Sequence, residues 1–112
     1  HPVQRIVNEK GFVEEEGHLA LETKPYEIPY RSLVSRATDC TNLIVPVCLS
    51  ASHVAYCSIR MEPIFMIMGH ASGIAAAMAA AKQVNVQDIN IDALQEKLIA
   101  QGQVLQNPAK RK

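Results

Sequence analysis

The sequence predicts a mixed α/β fold, of the α+β kind when these 112 residues are taken alone: short N-terminal strands, one buried strand and two helices. Three observations predict it. Residues 62–82, "EPIFMIMGHASGIAAAMAAAK", carry no charge between Glu62 and Lys82, which marks a central helix enclosed on several sides. Residues 42–50, "NLIVPVCLS", form a continuous apolar run with β-branched residues, the pattern of a strand buried on both faces. Near the C-terminus, "NVQDINIDALQEKLIAQG" sets a helical apolar stripe between an Asn and a Gly.

From the N-terminus, "VQRIV" and "HLALETK" are expected as two short strands joined by "NEKGFVEEEG", with Gly11 and Gly17 bracketing an acidic turn. In "KPYEIPYRSLVSR", Pro25 and Pro29 force extended backbone and put Tyr26, Ile28 and Tyr30 on one packed face. Pro46 removes a ladder donor from the 42–50 strand, making it an edge or irregular at that point. "SASHVAYCSIR" reads as a loop. The long helix then starts at Glu62 or Pro63, because the proline ring presets helical φ and its missing N–H would have no partner there. Along this helix His70, Ile74 and Met78 recur every four residues, while Gly69, Gly73 and Ala77 make a small ridge that another backbone can approach closely. In the last helix Asn90 is the expected N-cap, Leu94 and Leu98 the buried stripe, and Gly102 the C-cap.

Eleven basic and eleven acidic residues balance, so the chain offers no electrostatic footprint for nucleic acid. Residues 107–112 read as a flexible basic tail on a folded segment of residues 1–106. Three cysteines, Cys40, Cys48 and Cys57, lack CxxC spacing and cannot all pair internally, which argues against a disulfide framework. The set Cys48, His53, Cys57 and His70 matches no common zinc spacing, so no metal is expected. The 62–82 helix reaches the lower length limit for a bilayer span, but Ala and Gly supply little transfer energy, His70 lies mid-run and no aromatic belt flanks it. A buried helix is the expectation, with no membrane partner. The opening "HPVQRIV" has neither an initiator Met nor a signal-peptide pattern, which suggests a piece of a longer protein and leaves the compartment unassigned.

A strand, a small polar loop and a helix place the positive end of a helix dipole at a sheet edge, where anionic or polar ligand atoms bind. More specific residues accompany it. "PYEIPYRSL", "NLIVPVCLSASHVAYCSIRMEPIFMIMGHASGIAAA" and the opening "HPVQR" resemble the C-terminal part of the FAD-dependent oxidoreductase family with a glutathione-reductase-type nucleotide fold. Some members of that family carry a xanthan lyase label. The resemblance spans nearly the whole chain and is most specific in "CLSASHVAYCSIRMEP".

The resemblance implies the C-terminal portion of an FAD-binding Rossmann-like fold, with FAD as cofactor and "TNLIVPVCLS" leading toward the ribityl chain. Ser50 and Ser52 then lie in the cofactor loop, where "SAS" stands in place of the Gly-Asp or Gly-Glu pair of many relatives. Met61, Pro63, Ile64 and Phe65 would form the helix start beneath the isoalloxazine, with backbone N–H groups toward its N1 and O2 edge. Reduction of a flavin builds negative charge there, which a helix N-terminus stabilises. Arg60 and Glu62 would sit at the mouth where substrate and flavin meet, and His53 beside the flavin, as the candidate catalytic residues.

Each candidate has a structural alternative. Arg60 and Glu62 also read as a local ion pair, His53 as a hydrogen-bonded loop histidine and His70 as a packing residue. The glycine-rich fingerprint that cradles the ADP half of FAD is missing from these residues, so the chain holds only part of a pocket and is expected to be inactive alone. Its expected partners are the remainder of the FAD-binding domain and a small-molecule substrate. The alternative function is a non-enzymatic binding or oligomerisation module, with the Ala/Gly helix as a homo-oligomer surface. Nothing here assembles the Tyr or His base and neutralising cation of a polysaccharide lyase.

Overall fold

A computed structural model describes residues 2–18 and 24–105. In order along the chain come β1 (Pro2–Val7), β2 (Val13–His18), α1 (His53–Ile59), α2 (Glu62–Lys82) and α3 (Ile91–Ala100), with short 3-10 turns at Tyr30–Ser32 and Val86–Asp88. Three helices and one two-stranded antiparallel sheet make a small mixed α/β fold, and no parallel sheet occurs among the described residues.

The first strand lies where the sequence placed it, but the second does not. β2 is the acidic segment itself, paired with β1 from Pro2↔His18 to Val7↔Val13. Turn chemistry outweighs composition here. Asn8 Oδ1 accepts from the N–H groups of Lys10 and Phe12, both at 3.0 Å, and Gly11 takes φ +80, so the chain reverses at residues 8–12 and Val13 must pair with Val7. Gly17 therefore lies inside a strand rather than closing a turn. Most of "HLALETK" and the 107–112 tail lie outside the described residues.

Residues 24–29 are extended and irregular, ending at Pro29 with φ −72 and ψ 139. Ile28 and Tyr30 pack inward as expected, whereas Tyr26 is 51% exposed. The 42–50 run is not a buried strand. It makes one isolated bridge, Ile44 to Val34, and Leu43, Val47 and Cys48 are exposed. Its two further ladder-like bonds, Val45 N–H to Leu33 O at 2.7 Å and Ser50 N–H to Ser32 O at 2.8 Å, reach only the 32–34 segment on one side. With no strand on the other side among the described residues and no donor at Pro46, the apolar run has little to make it regular.

"SASHVAYCSIR" contains a helix where a loop was expected. Ser52 caps it, its Oγ accepting from the Ala55 N–H at 3.2 Å. α2 has the predicted limits, with Pro63 in its first turn. It ends in a Schellman arrangement in which Gln83 takes φ 52, Val84 N–H bonds to Ala79 O and Gln83 N–H to Ala80 O. α3 ends in the same way on Gly102, at φ 85, with Gln103 N–H to Leu98 O and Gly102 N–H to Ile99 O. Asn90 Oδ1 accepts from Ala93 N–H at 3.0 Å, and Leu94 and Leu98 are each 3% exposed, as the sequence predicts.

Two apolar clusters lie along one face of α2. Leu33, Leu49, Ile59 and Met68 form the first, around its N-terminal half; Ala75, Met78, Ala79, Val86, Ile89, Leu94 and Leu98 form the second. Tyr30 and Ile44 touch both. Between them sits Ser72, buried and with no hydrogen-bond partner for its Oγ. The Tyr30 hydroxyl donates to Val86 O at 2.9 Å, and burial pushes its pKa above the ordinary tyrosine range.

The expectation of a helix enclosed on several sides is not met among the described residues. Met66, Ile67, Gly73, Ala76, Ala77 and Ala80 are exposed, and a Cβ added at Gly69 or Gly73 would meet nothing within 4 Å. Only 28% of the apolar window of α2 is buried, although the helix is long and apolar enough to cross a membrane by length and composition. The Cα radius of gyration, 18.4 Å, exceeds the roughly 13 Å of a compact 100-residue domain. The cause is physical: two short helices, α1 and α3, do not supply enough apolar surface to wrap a 21-residue helix. The hairpin, with Val7, Phe12 and Val13 exposed, contributes nothing to either apolar cluster.

Two stability predictions follow from these contacts. Gln83→Gly relieves the side-chain strain of a left-handed residue and should stabilise the chain by about 0.5–1 kcal/mol in urea unfolding. Tyr30→Phe should cost about 1 kcal/mol at neutral pH by leaving Val86 O unpaired. Because the folded pKa of Tyr30 is raised, its contribution is complete below the unfolded pKa and is lost as pH rises through the folded value. The alkaline fall in stability should therefore be shallower in Tyr30→Phe than in the parent chain.

Candidate functional site

Six of the nine sequence-nominated residues, Arg60 to Phe65, lie at the elbow where α1 meets α2. α1 ends at Ile59, and the Arg60 N–H closes its last turn on Tyr56 O at 2.9 Å. Met61 N–H then bonds to Ile59 O at 2.7 Å, Met61 itself is extended at φ −118 and ψ 139, and α2 begins at Glu62. The reversal forces Arg60, Met61, Glu62 and Pro63 outward; all four are exposed. Ile64 and Phe65 turn inward and pack on Leu33, Leu49, Ile59 and Met68, with the Phe65 ring 6.4 Å from that of Tyr56.

Each charge at the elbow matches a helix end. Arg60 follows the negative C-terminus of α1, and Glu62 occupies the positive first turn of α2. α2 differs from the other two helices in lacking a side-chain cap: Ser52 caps α1, Asn90 caps α3, and Met61 contributes none. The N–H groups of Ile64 and Phe65 both donate to Met61 O, at 2.9 and 3.0 Å, and Pro63 has no N–H. At these three positions the elbow presents a dipole end rather than free donors.

The remaining candidates lie at the far end of α1. His53 is its first residue, exposed, with Nε2 3.9 Å from Cys57 Sγ. Seven helical residues put His53 about 10 Å along the axis from Arg60, so a small ligand touching Arg60 does not automatically touch His53. Ser52 Oγ serves as the helix cap, and exposed Ser50 is held through its backbone N–H by Ser32 O. The structure thus groups Arg60, Met61, Glu62 and Pro63, and separately Ser50, Ser52 and His53.

Other residues play parts that sequence reading did not foresee. The Tyr26 hydroxyl hydrogen-bonds Ser58 Oγ, tying the extended 24–29 segment to α1. Pro25 and Pro29 signalled the extension but not its partner. Gln87 Nε2 donates to both Ser35 O, at 2.9 Å, and Cys40 O, at 2.8 Å, joining the turn after α2 to the 35–40 loop. His70, expected to pack, is exposed on α2, its Nε2 2.6 Å from Gln101 Oε1. Cys48 is exposed rather than held in a strand, and among the described residues no three His, Cys, Asp or Glu side chains are grouped to hold a metal.

No curated protein and no solved structure matches the chain. A protein-family model described as FAD dependent oxidoreductase matches residues 1–98. That span takes in β1, β2, α1, the elbow, α2 and most of α3. The match extends over far more than half of the sequence, and the chain belongs to the FAD-dependent oxidoreductase family.

Proposed function

We propose that this chain is the C-terminal segment of an FAD-dependent oxidoreductase, in which the α1–α2 elbow supports the isoalloxazine and ribityl end of the flavin and one wall of the substrate pocket. The observation that carries the reading is the exposed, uncapped start of α2 beside Arg60, in a chain whose other two helices are capped by side chains. The residues fit one end of FAD and not the other. An exposed dipole end and a guanidinium suit the electron-rich edge of a flavin. The pyrophosphate and adenosine need a strand, a glycine-rich turn and a helix, and the sequence contains no GxGxxG.

When bound, FAD supplies a ring that accepts hydride from substrate and gains negative charge along its N1 and O2 edge. The start of α2 offsets that charge through its dipole, and Arg60 offsets it further or holds an anionic substrate group. Glu62 works in the opposite sense, so its role in this reading is toward substrate rather than toward the flavin edge. Ser50 and Ser52 line the approach to the ribityl chain, and His53, beyond them, is placed to exchange a proton with substrate. The open face of α2, with Gly73 and Ala77, docks on the remainder of the flavin domain. Lipid is the weaker occupant for that face because Ala and Gly transfer little free energy and His70 interrupts it.

The longer protein containing this segment should purify yellow, whereas the 112 residues alone should retain little or no FAD. A colourless longer protein that stays colourless when FAD is supplied would leave the oligomerisation module as the better account. In the longer protein Arg60→Ala should slow anaerobic flavin reduction by substrate while FAD content and melting temperature hold; a joint fall in all three identifies a purely structural arginine.

Two further comparisons test the elbow and the open face. Ser52→Ala and Asn90→Ala remove equivalent caps and should each cost about 1 kcal/mol, but FAD retention should drop in Ser52→Ala only. Gly73→Leu should leave the melting of the isolated chain unchanged or raise it, since the site is open and Leu is the better helix former. In the longer protein the same change should destabilise by about 1–3 kcal/mol through overpacking. Equal melting behaviour in both settings would mean that the face has no protein partner.

A further inference from the structure

We draw no further inference here: the strongest candidate, the open apolar groove between residues 24–37 and the facing sides of α2 and α3, carries nothing because nothing in the structure shows what fills it.

Discussion

α2 has no charged residue between Glu62 and Lys82, so every side of it gains by leaving water, yet the chain covers one side only. That imbalance organises the helical half of the fold. α1, the 32–34 segment, the Val86–Asp88 turn and α3 all gather on the stripe that runs through Met68, Ala75 and Ala79. Burying a Leu or Met there is worth roughly 1.5–3 kcal/mol each, which explains why Leu33, Leu94 and Leu98 are the most completely covered leucines. The opposite side keeps Gly, Ala, a few exposed apolar residues and His70, a surface shaped for close approach that is left largely uncovered among the described residues.

Local signals were legible wherever one residue has one dominant conformational use. Pro63 marked the start of α2, Asn90 and Gly102 the two ends of α3, and the Leu94 and Leu98 spacing its buried side. Signals that depend on a neighbour were not legible. The 42–50 run has the composition of a buried strand, but a strand is made regular by its partners, and only the 32–34 segment lies beside it. Ser52 is both a loop-like residue and a good N-cap, and nothing local decides between "SAS" as a connection and as the entry to a helix. The acidic run is a strand because the turn at Asn8 and Gly11 sets the register in which Val13 pairs with Val7.

The same ambiguity governs the candidate site. Arg60 and Glu62 each stand at a helix end of opposite sign, an arrangement that stabilises the elbow with or without a ligand. Ser52 likewise holds α1 together through its hydroxyl. The residues nominated for binding are thus also those that shape the elbow, and Ile64 and Phe65 among them put their side chains on the core and their N–H groups on Met61 O. Sequence could name these positions. It could not show that His53 stands a full short helix away from Arg60, because that separation exists only once "SHVAYCSI" is helical.

Ser72 gives the apolar stripe a seam. A hydroxyl without a partner contributes little cohesion between Met68 on one side and Ala75 on the other, and among the described residues Tyr30 and Ile44 are the partly buried side chains that touch both clusters. The C-terminal cluster is closed by two Schellman ends and an Asn cap, so it can persist while the N-terminal cluster opens. Opening that first cluster releases Leu33, Leu49, Ile59 and Met68 but leaves the α2–α3 packing intact, a sub-global fluctuation less costly than unfolding. The elbow rides on this softer half, between a helix of seven residues and an α2 start that no side chain caps.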